Sequence, residues 1–427
     1  MVRAAQNRWA IAAAAVAFHL MIGSAYAWSV FTKPLMAQLG WSQKEVSLAF
    51  SIAIFALGMS AAFMGRFVER HGPRKSGTLA AIFFGTGVAG SGLAVALKSL
   101  PLLYLFYGLI GGIGLGIGYI TPVSTLVKWF PDRRGLATGL AIMGFGFASL
   151  VSGPAAVVLI ERVGIAPTFA LLGAVYFAVM LAAAQVLTPP PAGWVPPRFA
   201  QQAADSRKRL PVDLAQLTAA EAVKTHRFWF LWVMMFINIT CGIAIISVAS
   251  PMGQEIAGLS PLAAASMVGL MGLFNGIGRI GWASLSDYIG RPNVYTAFFI
   301  LQIGAFLLLP NAREALLFQV LVFAIMTCYG GGFATLPAYI GDLFGTKELG
   351  AVHGYLLTAW ALAGVVGPIL VSSIYDATKS YAGTLAIFAA LFAVALAVSL
   401  WIRADIKALR TQRQATGARL THSHISS

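Results

Sequence analysis

The sequence predicts an all-α membrane protein in which twelve transmembrane helices form two pseudo-symmetric bundles of six. Of the 427 residues, 59% are hydrophobic and only 10% are charged, with a mean hydropathy of +0.80. A soluble chain carries about 25% charged residues. The apolar residues are gathered in twelve runs, most of them close to the ~20 residues that a spanning helix needs. A charged motif also recurs at an interval of about half the chain.

The twelve apolar runs are separated by charged or proline-containing breaks, and we name them spans 1 to 12 in chain order. Their predicted bounds are 9–31, 46–64, 77–96, 102–127, 136–160, 165–186, 228–250, 262–285, 294–309, 315–339, 349–375 and 384–402. Span 1 also resembles a cleavable signal peptide, with small residues at 24–27. We interpret it as a span, because the apolar run continues through Phe31.

The lysines and arginines predict the orientation of the chain. With the N-terminus in the cytoplasm, 22 of the 29 fall on the cytoplasmic side and 6 on the outer side. Basic residues favour cytoplasmic loops, so we expect both termini inside. From the short termini without a targeting segment we expect a multi-pass protein of the plasma (inner) membrane. The distribution of lysines and arginines also accounts for the net charge of +15 without nucleic acid as a partner. One cation, Arg279, belongs to no loop.

A long hydrophilic stretch divides the spans into two sets of six. We expect an N-terminal bundle at 1–187, a cytoplasmic inter-bundle loop at 188–227, and a C-terminal bundle with a cytoplasmic tail at 228–427. An internal repeat supports the division, because the sequence ERHGPR at 69–74 resembles DYIGRP at 287–292. Duplicated halves around a central loop are typical of transporters that alternate access around a midplane site.

Arg279 indicates an anionic substrate. It lies eight residues before Asp287, which is about 12 Å of helix from the cytoplasmic end of span 8. A guanidinium at this depth is costly unless it faces a wet cavity or an anion, and all 14 acidic residues fall in loops or at helix ends. Arginine matches a carboxylate with two parallel N–H donors, so a carboxylate is favoured over a structural ion pair.

Four other polar residues are predicted near Arg279. Asn275 lies one helical turn away on the same face and could orient the guanidinium or bind the substrate. Tyr119, Tyr329 and His19 lie at a similar depth in spans 4, 10 and 1. The tyrosines could contact the substrate or simply fill space, and His19 could carry a proton or be a satisfied core histidine. Phe274, Trp282 and Trp360 could line the cavity or pack between helices.

At these residues the chain resembles the major facilitator superfamily. The first copy of the repeat resembles the family's signature loop, and the second is weaker because Ala283 stands where glycine is common. The resemblance implies that acidic and basic groups latch the cytoplasmic helix ends, a role that falls to Gly65, Glu69, Gly72, Arg74, Asp287 and Arg291. The sequences WFPDRRGLATG at 129–139, YAW at 26–28 and LFNG at 273–276 resemble the oxalate:formate antiporter and monocarboxylate transporter families.

This resemblance implies a secondary transporter of small monocarboxylates such as lactate or pyruvate, coupled to protons and acting as a monomer. Two departures qualify it. Animal monocarboxylate transporters tend to have an acid where Asn275 stands, so the proton carrier is the substrate carboxylate itself or His19. The oxalate:formate antiporter places a second cation, a lysine, where Trp360 stands, and one cation fits one carboxylate. Antiport of carboxylates of the oxalate:formate type remains the alternative.

Other classes of protein fit the sequence less well. A membrane-bound enzyme would need acidic or His/Asp pairs at a helix end and a sizeable aqueous domain, and an anion channel would show rings of charge. The few polar groups in the spans argue against a sugar carrier. The glycine run at 111–118 lies inside span 4 and has no phosphate-binding context. Cys241 and Cys328 are isolated, so we expect no metal site and no cofactor.

Overall fold

The computed structural model describes residues 7–196 and 213–423, and the regular elements within these ranges are all helical. Span 1 comprises Arg8–Ile22, a short 3-10 segment Gly23–Ala27, and Ser29–Leu39. Spans 2 and 3 lie within Gln43–Ala96, and span 4 comprises Leu100–Leu103, a π-helical segment Tyr104–Gly111, and Gly112–Trp129. Spans 5 and 6 are Arg134–Val163 and Ile165–Val186.

The second half repeats this order after the central loop. One helical turn, Ala219–Ala222, lies in the described part of that loop. Spans 7 to 10 are His226–Ala257, Pro261–Ile289, Arg291–Leu308 and Ala315–Phe344, and span 9 is followed by the 3-10 segment Leu309–Asn311. Span 11 comprises Leu349–Leu356 and Thr358–Thr378, and span 12 is Ala382–Ser423.

Ten helical segments among the described residues are long and apolar enough to cross a membrane. One of them, Glu45–Ala96, holds two spans, because its backbone leaves the helical conformation at Gly72, just before Pro73. A further helix, Pro261–Ile289, is equally long but carries Asn275 and Arg279 in its middle. The predicted all-α membrane fold is therefore confirmed, and the twelve predicted spans map onto these eleven segments.

The two copies of the repeat share a backbone turn. Gly72 has φ 78° and ψ 169°, and Gly290, at the matching place in the second copy, has φ 89° and ψ 147°. These positive φ values are strained for residues with a Cβ, which explains glycine at both turns. The sequence repeat thus corresponds to a structural repeat.

Several helices differ in extent from the predicted spans. Span 1 continues to Leu39 and so includes Lys33, which was expected in an outer loop. Span 12 continues past residue 402 to Ser423, because the alanine, lysine and arginine of that stretch are strong helix formers. Span 11 is broken after Leu356, where the Thr358 hydroxyl donates to the Tyr355 carbonyl.

The two halves meet along two seams of small residues. Span 2 packs on span 11, and span 5 packs on span 8. A Cβ added to Gly354 would lie 2.0 Å from the Ala61 carbonyl oxygen, and one added to Gly139 would lie 2.8 Å from the Arg279 carbonyl oxygen. Such small residues let helix backbones approach closely. The second seam therefore carries Arg279 at the boundary between the halves.

Candidate functional site

Arg279 is the charged residue at the centre of the site. Its side chain is buried, with 1% of the residue exposed. Its Nε donates to Asn275 Oδ1 over 2.9 Å, and its Nη1 donates to the Ile142 carbonyl of span 5 over 3.2 Å. Within the described residues Nη2 has no hydrogen-bond partner. The guanidinium is thus fixed through Nε and Nη1, while the N–H donors of Nη2 have no acceptor among the described residues.

The charge of Arg279 is not neutralised by an acid. None of the ion pairs among the described residues includes it. Instead, its guanidinium carbon lies 5.7 Å from the ring centre of Phe145 and 5.5 Å from that of Phe333. Aromatic faces attract a cation without supplying a counter-charge. An anion would therefore meet an uncompensated positive charge in an apolar setting.

Aromatic rings from both halves surround this charge. The centre of the Trp360 ring lies 4.7 Å from that of Phe333, 5.5 Å from that of Tyr119 and 5.9 Å from that of Phe145. Tyr26 meets Phe145 edge to face, at 4.8 Å between ring centres. These rings come from spans 1, 4, 5, 10 and 11, so the site is built between the two halves.

The structure brings the other predicted polar residues to the same region. Tyr119 and His19 are buried and meet edge to face, with ring centres 5.5 Å apart. Tyr329 is buried against Phe333 at 5.4 Å. The positive charge of Arg279 acts on all three side chains and on Tyr26. The hydroxyls of Tyr119 and Tyr26 interact with the Arg279 guanidinium but make no hydrogen bond of ordinary geometry among the described residues.

Sequence reasoning missed four residues of the site. Tyr26 was noted only as part of a family motif, and Phe145 and Phe333 are phenylalanines among the 28 of the chain. His353 of span 11 lies 5.8 Å from Tyr119 between ring centres and is fully buried. It carries the same signal as His19, an isolated histidine in an apolar run, and the same criterion could have found it.

Two of the three candidate cavity residues lie elsewhere. Phe274 stacks on Phe323, with ring centres 4.4 Å apart, and the indole nitrogen of Trp282 donates to Thr327 over 3.3 Å. Both rings pack spans 8 and 10 together. Among the three, only Trp360 lies in the aromatic surround of Arg279.

Glu69 joins the two halves at the end of the molecule that carries the repeat loops, which we call the latch end. Glu69 Oε1 accepts from the Gly350 backbone N–H of span 11 over 2.6 Å, and Oε2 pairs with Lys128 of span 4 at 2.5 Å. Gly65 lies on the same seam, where an added Cβ would be 2.5 Å from the Ala351 Cα. Spans 2 and 11 are therefore held together at this end.

The second repeat makes the matching contact. The Asp287 carboxylate accepts from the backbone N–H groups of Gly135 and Leu136, each over 2.9 Å, at the start of span 5. Arg291 pairs with Asp287 at 2.6 Å and with Asp342 at 3.1 Å. A carboxylate at a helix N-terminus also meets the positive end of the helix dipole. Spans 5 and 8 are thereby held together at the latch end in the same way as spans 2 and 11.

Two predicted latch residues act within the first half. Gly72 forms the turn described above, and Arg74 Nη2 donates to the Gln185 carbonyl at the end of span 6 over 2.7 Å. Neither contacts the second half in the interactions described. Of the six predicted latch residues, Gly65, Glu69 and Asp287 therefore contact the opposite half, and Arg291 supports Asp287.

The central loop adds a contact that the sequence did not indicate. Asp213 binds Arg134 of span 5 with both carboxylate oxygens, at 2.6 and 3.3 Å, and Asp342 of span 10 shares the same guanidinium at 3.1 Å. The backbone N–H groups of Leu214 and Leu217 donate to carbonyls at the end of span 10. This part of the loop, 213–217, therefore lies on the second half and reaches the first through Arg134.

Comparisons with known proteins agree with this architecture. A family model of the Major Facilitator Superfamily matches residues 13–368 and 280–426. The oxalate:formate antiporter of Oxalobacter formigenes is 30% identical over 366 residues, which are 84% of this chain and 83% of that protein. Monocarboxylate transporter 12 of Xenopus laevis is 25% identical over 347 residues, 76% of this chain and 73% of that protein.

A solved structure shows the same fold. The crystal structure of the E. coli fucose:proton symporter FucP superposes with a TM-score of 0.69 at 14% sequence identity. The match covers 91% of this chain and 98% of FucP. At this identity the likeness concerns the fold alone.

Proposed function

Because the chain belongs to the major facilitator superfamily, we propose that it carries small monocarboxylates such as lactate or pyruvate across a membrane, coupled to protons, by alternating access. The chain is a multi-pass membrane transporter, and its relatives are transporters rather than enzymes.

The proposal rests mainly on the Arg279 guanidinium, some of whose N–H donors have acceptors in the protein while others have none among the described residues. Nη1 has two hydrogens, of which the Ile142 carbonyl takes one, and Nη2 has two more. One carboxylate can therefore accept from the free edge, with charge-assisted bonds to both nitrogens. Asn275 holds the opposite edge and fixes the plane of the guanidinium. We assign substrate binding to Arg279, with Asn275 as its positioning residue.

The charges around Arg279 favour a substrate with one negative charge. The resemblance to the oxalate:formate antiporter family implies that Trp360 stands where that family has its second cation. The Trp360 ring lies against Tyr119 and Phe333. Among the described residues the other buried arginines, Arg134 and Arg291, are at the latch end. A second carboxylate would enter an aromatic wall without a counter-charge. The hydroxyls of Tyr119 and Tyr329 are then available for a hydroxyl or keto oxygen of the substrate.

We propose that the protein lies in the inner (plasma) membrane with its latch end facing the cytoplasm. Most lysines and arginines of the sequence are predicted on that side. The chain then acts as a monomer of two six-helix bundles, 1–187 and 228–427, joined by the loop 188–227. In this arrangement the Glu69 and Asp287 contacts close the cytoplasmic side. Rocking of the bundles breaks these contacts and exposes Arg279 to the cytoplasm.

The test is uptake of labelled L-lactate into proteoliposomes under an inward proton gradient, comparing native protein with Arg279→Lys. Lysine keeps the charge but loses the planar fork. Because a charge-assisted hydrogen bond contributes about 1.5–3 kcal/mol, we expect the KM for lactate to rise about tenfold or more. Arg313→Lys is the matched control, since Arg313 is exposed in a loop. Unchanged lactate kinetics in Arg279→Lys would exclude Arg279 as the anchor.

Antiport is the second candidate, favoured by the 30% identity to the oxalate:formate antiporter. An obligatory exchanger would take up lactate only into liposomes preloaded with a carboxylate, and it would need no proton carrier. Uptake into empty liposomes driven by the proton gradient identifies symport. No carboxylate flux with either protocol would refute both candidates.

A further inference from the structure

Three buried polar side chains from both halves meet beside the Arg279 site. The ring of Tyr119 in span 4 lies 5.5 Å from His19 of span 1 and 5.8 Å from His353 of span 11, measured between ring centres. All three residues are fully buried, at 0% exposure. Tyr119 thus has a histidine from the first half and a histidine from the second half against its ring.

Most polar side-chain atoms of this cluster lack ordinary hydrogen bonds to the described residues. His19 Nδ1 lies 3.1 Å from the Ala15 carbonyl. Tyr119 also interacts with Arg279, and His19 with the Tyr119 backbone, but His19 Nε2, the Tyr119 hydroxyl and both ring nitrogens of His353 make no hydrogen bond of ordinary geometry among the described residues. An unsatisfied buried polar group destabilises the folded protein, and such groups in a native structure call for an explanation. Several in one cluster indicate that it binds something small and polar.

The surrounding charges limit what can bind. Arg279 acts on His19 and Tyr119, and the other titratable groups of the site, Tyr26 and Tyr329, are neutral phenols. Glu69 contacts the start of span 11 at Gly350, but Lys128 pairs with it. Spans 5 and 7 contribute no titratable group to the cluster among the described contacts. The two imidazoles are therefore the groups of this cluster whose unperturbed pKa lies nearest to neutral pH.

We propose that His19, Tyr119 and His353 form the proton-binding site of the transporter, with His353 as the member nearest the latch. This inference rests on the proposed monocarboxylate transport. A neutral imidazole accepts one proton, and a phenol both donates and accepts. When helix movement brings these atoms within hydrogen-bond distance, protonated His353 donates its N–H proton to the Tyr119 oxygen and the Tyr119 O–H proton passes to His19 Nε2. One proton moves from His353 to His19, and Tyr119 is unchanged.

Two features couple this site to transport. The charge of Arg279 repels a proton on His19, so a carboxylate bound to Arg279 favours protonation of the cluster. In addition, His353 lies three residues after Gly350, whose N–H is held by Glu69. Opening of the latch end moves span 11 away from spans 1 and 4 and separates His353 from Tyr119. Substrate, proton and conformation are then linked reciprocally.

The experiment compares native protein with His353→Gln and His19→Gln in proteoliposomes. Glutamine keeps hydrogen-bonding capacity but takes up no proton at neutral pH. Lactate counterflow at equal pH is measured first, and lactate-driven proton flux is then followed with a pH-sensitive dye in the lumen. We expect both variants to retain counterflow at a reduced rate, while proton flux falls to the level of protein-free liposomes. The control is His226→Gln, a histidine at the surface end of span 7.

Each outcome decides a separate point. Proton flux that remains coupled to lactate in His353→Gln overturns the proposed site, as does native counterflow without any proton flux. Absence of native counterflow refutes the monocarboxylate substrate instead. In that case the site is tested by NMR of protein with ¹³C-labelled histidine rings, with signals identified by their loss in the two variants. Titration of both rings supports the site, and two rings that do not titrate overturn it.

Discussion

Asp213 in the central loop is expected to stabilise the state that is closed at the latch end. The backbone next to it is fixed to the second half by the bond from Leu214 N–H to the Asp342 carbonyl at 2.9 Å. Its carboxylate binds Arg134 of the first half with both oxygens. Opening this end moves span 5 away from span 10, so Arg134 must leave at least one of its two acids. The loop then acts as a strap across the latch.

The substitution Asp213→Asn removes the charge and keeps the shape. Asparagine can still accept one hydrogen bond through its carbonyl oxygen, while Asp342 remains 3.1 Å from the guanidinium. Charge-assisted bonds contribute about 1.5–3 kcal/mol and neutral ones about 0.5–1.5 kcal/mol. We therefore expect the closed state to lose about 1–2 kcal/mol, a change of about five- to thirtyfold in the ratio of closed to open molecules.

The assay is the distance between spin labels attached to Lys75→Cys and Lys347→Cys, two exposed positions at the latch end on opposite halves. The native cysteines are both buried, which keeps them away from the label. Asp213→Asn should shift the distance distribution towards longer values. The matched control is Asp376→Asn, which removes an exposed acid near the opposite end of span 11. The control should give the native distribution. If Asp213→Asn also gives the native distribution, the loop does not hold the latch end closed.

Three further predictions concern the seam and the binding site. Gly354→Ala should populate the open latch end in the same spin-label assay, because the new Cβ would lie 2.0 Å from the Ala61 carbonyl oxygen; an unchanged distribution would contradict close packing there. Asn275→Ala should weaken lactate binding about tenfold, since the Arg279 Nε then loses its 2.9 Å acceptor and leaving a buried donor unsatisfied costs about 1–3 kcal/mol; a native KM would contradict the positioning role. Trp360→Lys places a second cation beside Tyr119 and Phe333, so oxalate should become a competitive inhibitor of lactate uptake. If oxalate does not inhibit the variant, Trp360 is not the residue that discriminates between substrates with one and two negative charges.

The sequence predicts the membrane fold and the central cation well, because both depend on local and compositional signals. An apolar run of about 20 residues has few alternatives to a spanning helix. A single arginine in such a run is conspicuous, and Asn275 follows from the helical period alone. The structure places Asn275 against the Arg279 Nε, so this geometric expectation holds to the level of individual atoms.

The remaining parts of the site depend on contacts between halves, which have no local signal. Phe145 and Phe333 face Arg279 because spans 5, 8 and 10 converge, whereas Phe274 shares a helix with Arg279 yet stacks on Phe323. Asp213 likewise belongs to a polar stretch, and its role follows only from its pairing with Arg134, 79 residues away. Long-range pairing therefore decides which of many similar residues form the site.

The position of Arg279 suggests why the proposed carrier would couple substrate to movement. Its guanidinium binds Ile142 of the opposite half, so the residue that we assign to the substrate also lies in the seam between the halves. A buried, uncompensated charge is costly, and a carboxylate bound to it offsets much of that cost. The loaded protein should therefore close around the site more readily than the empty one. Exchange of lactate should then be faster than net uptake, and the proton on the histidine cluster would be released as span 11 separates from span 4.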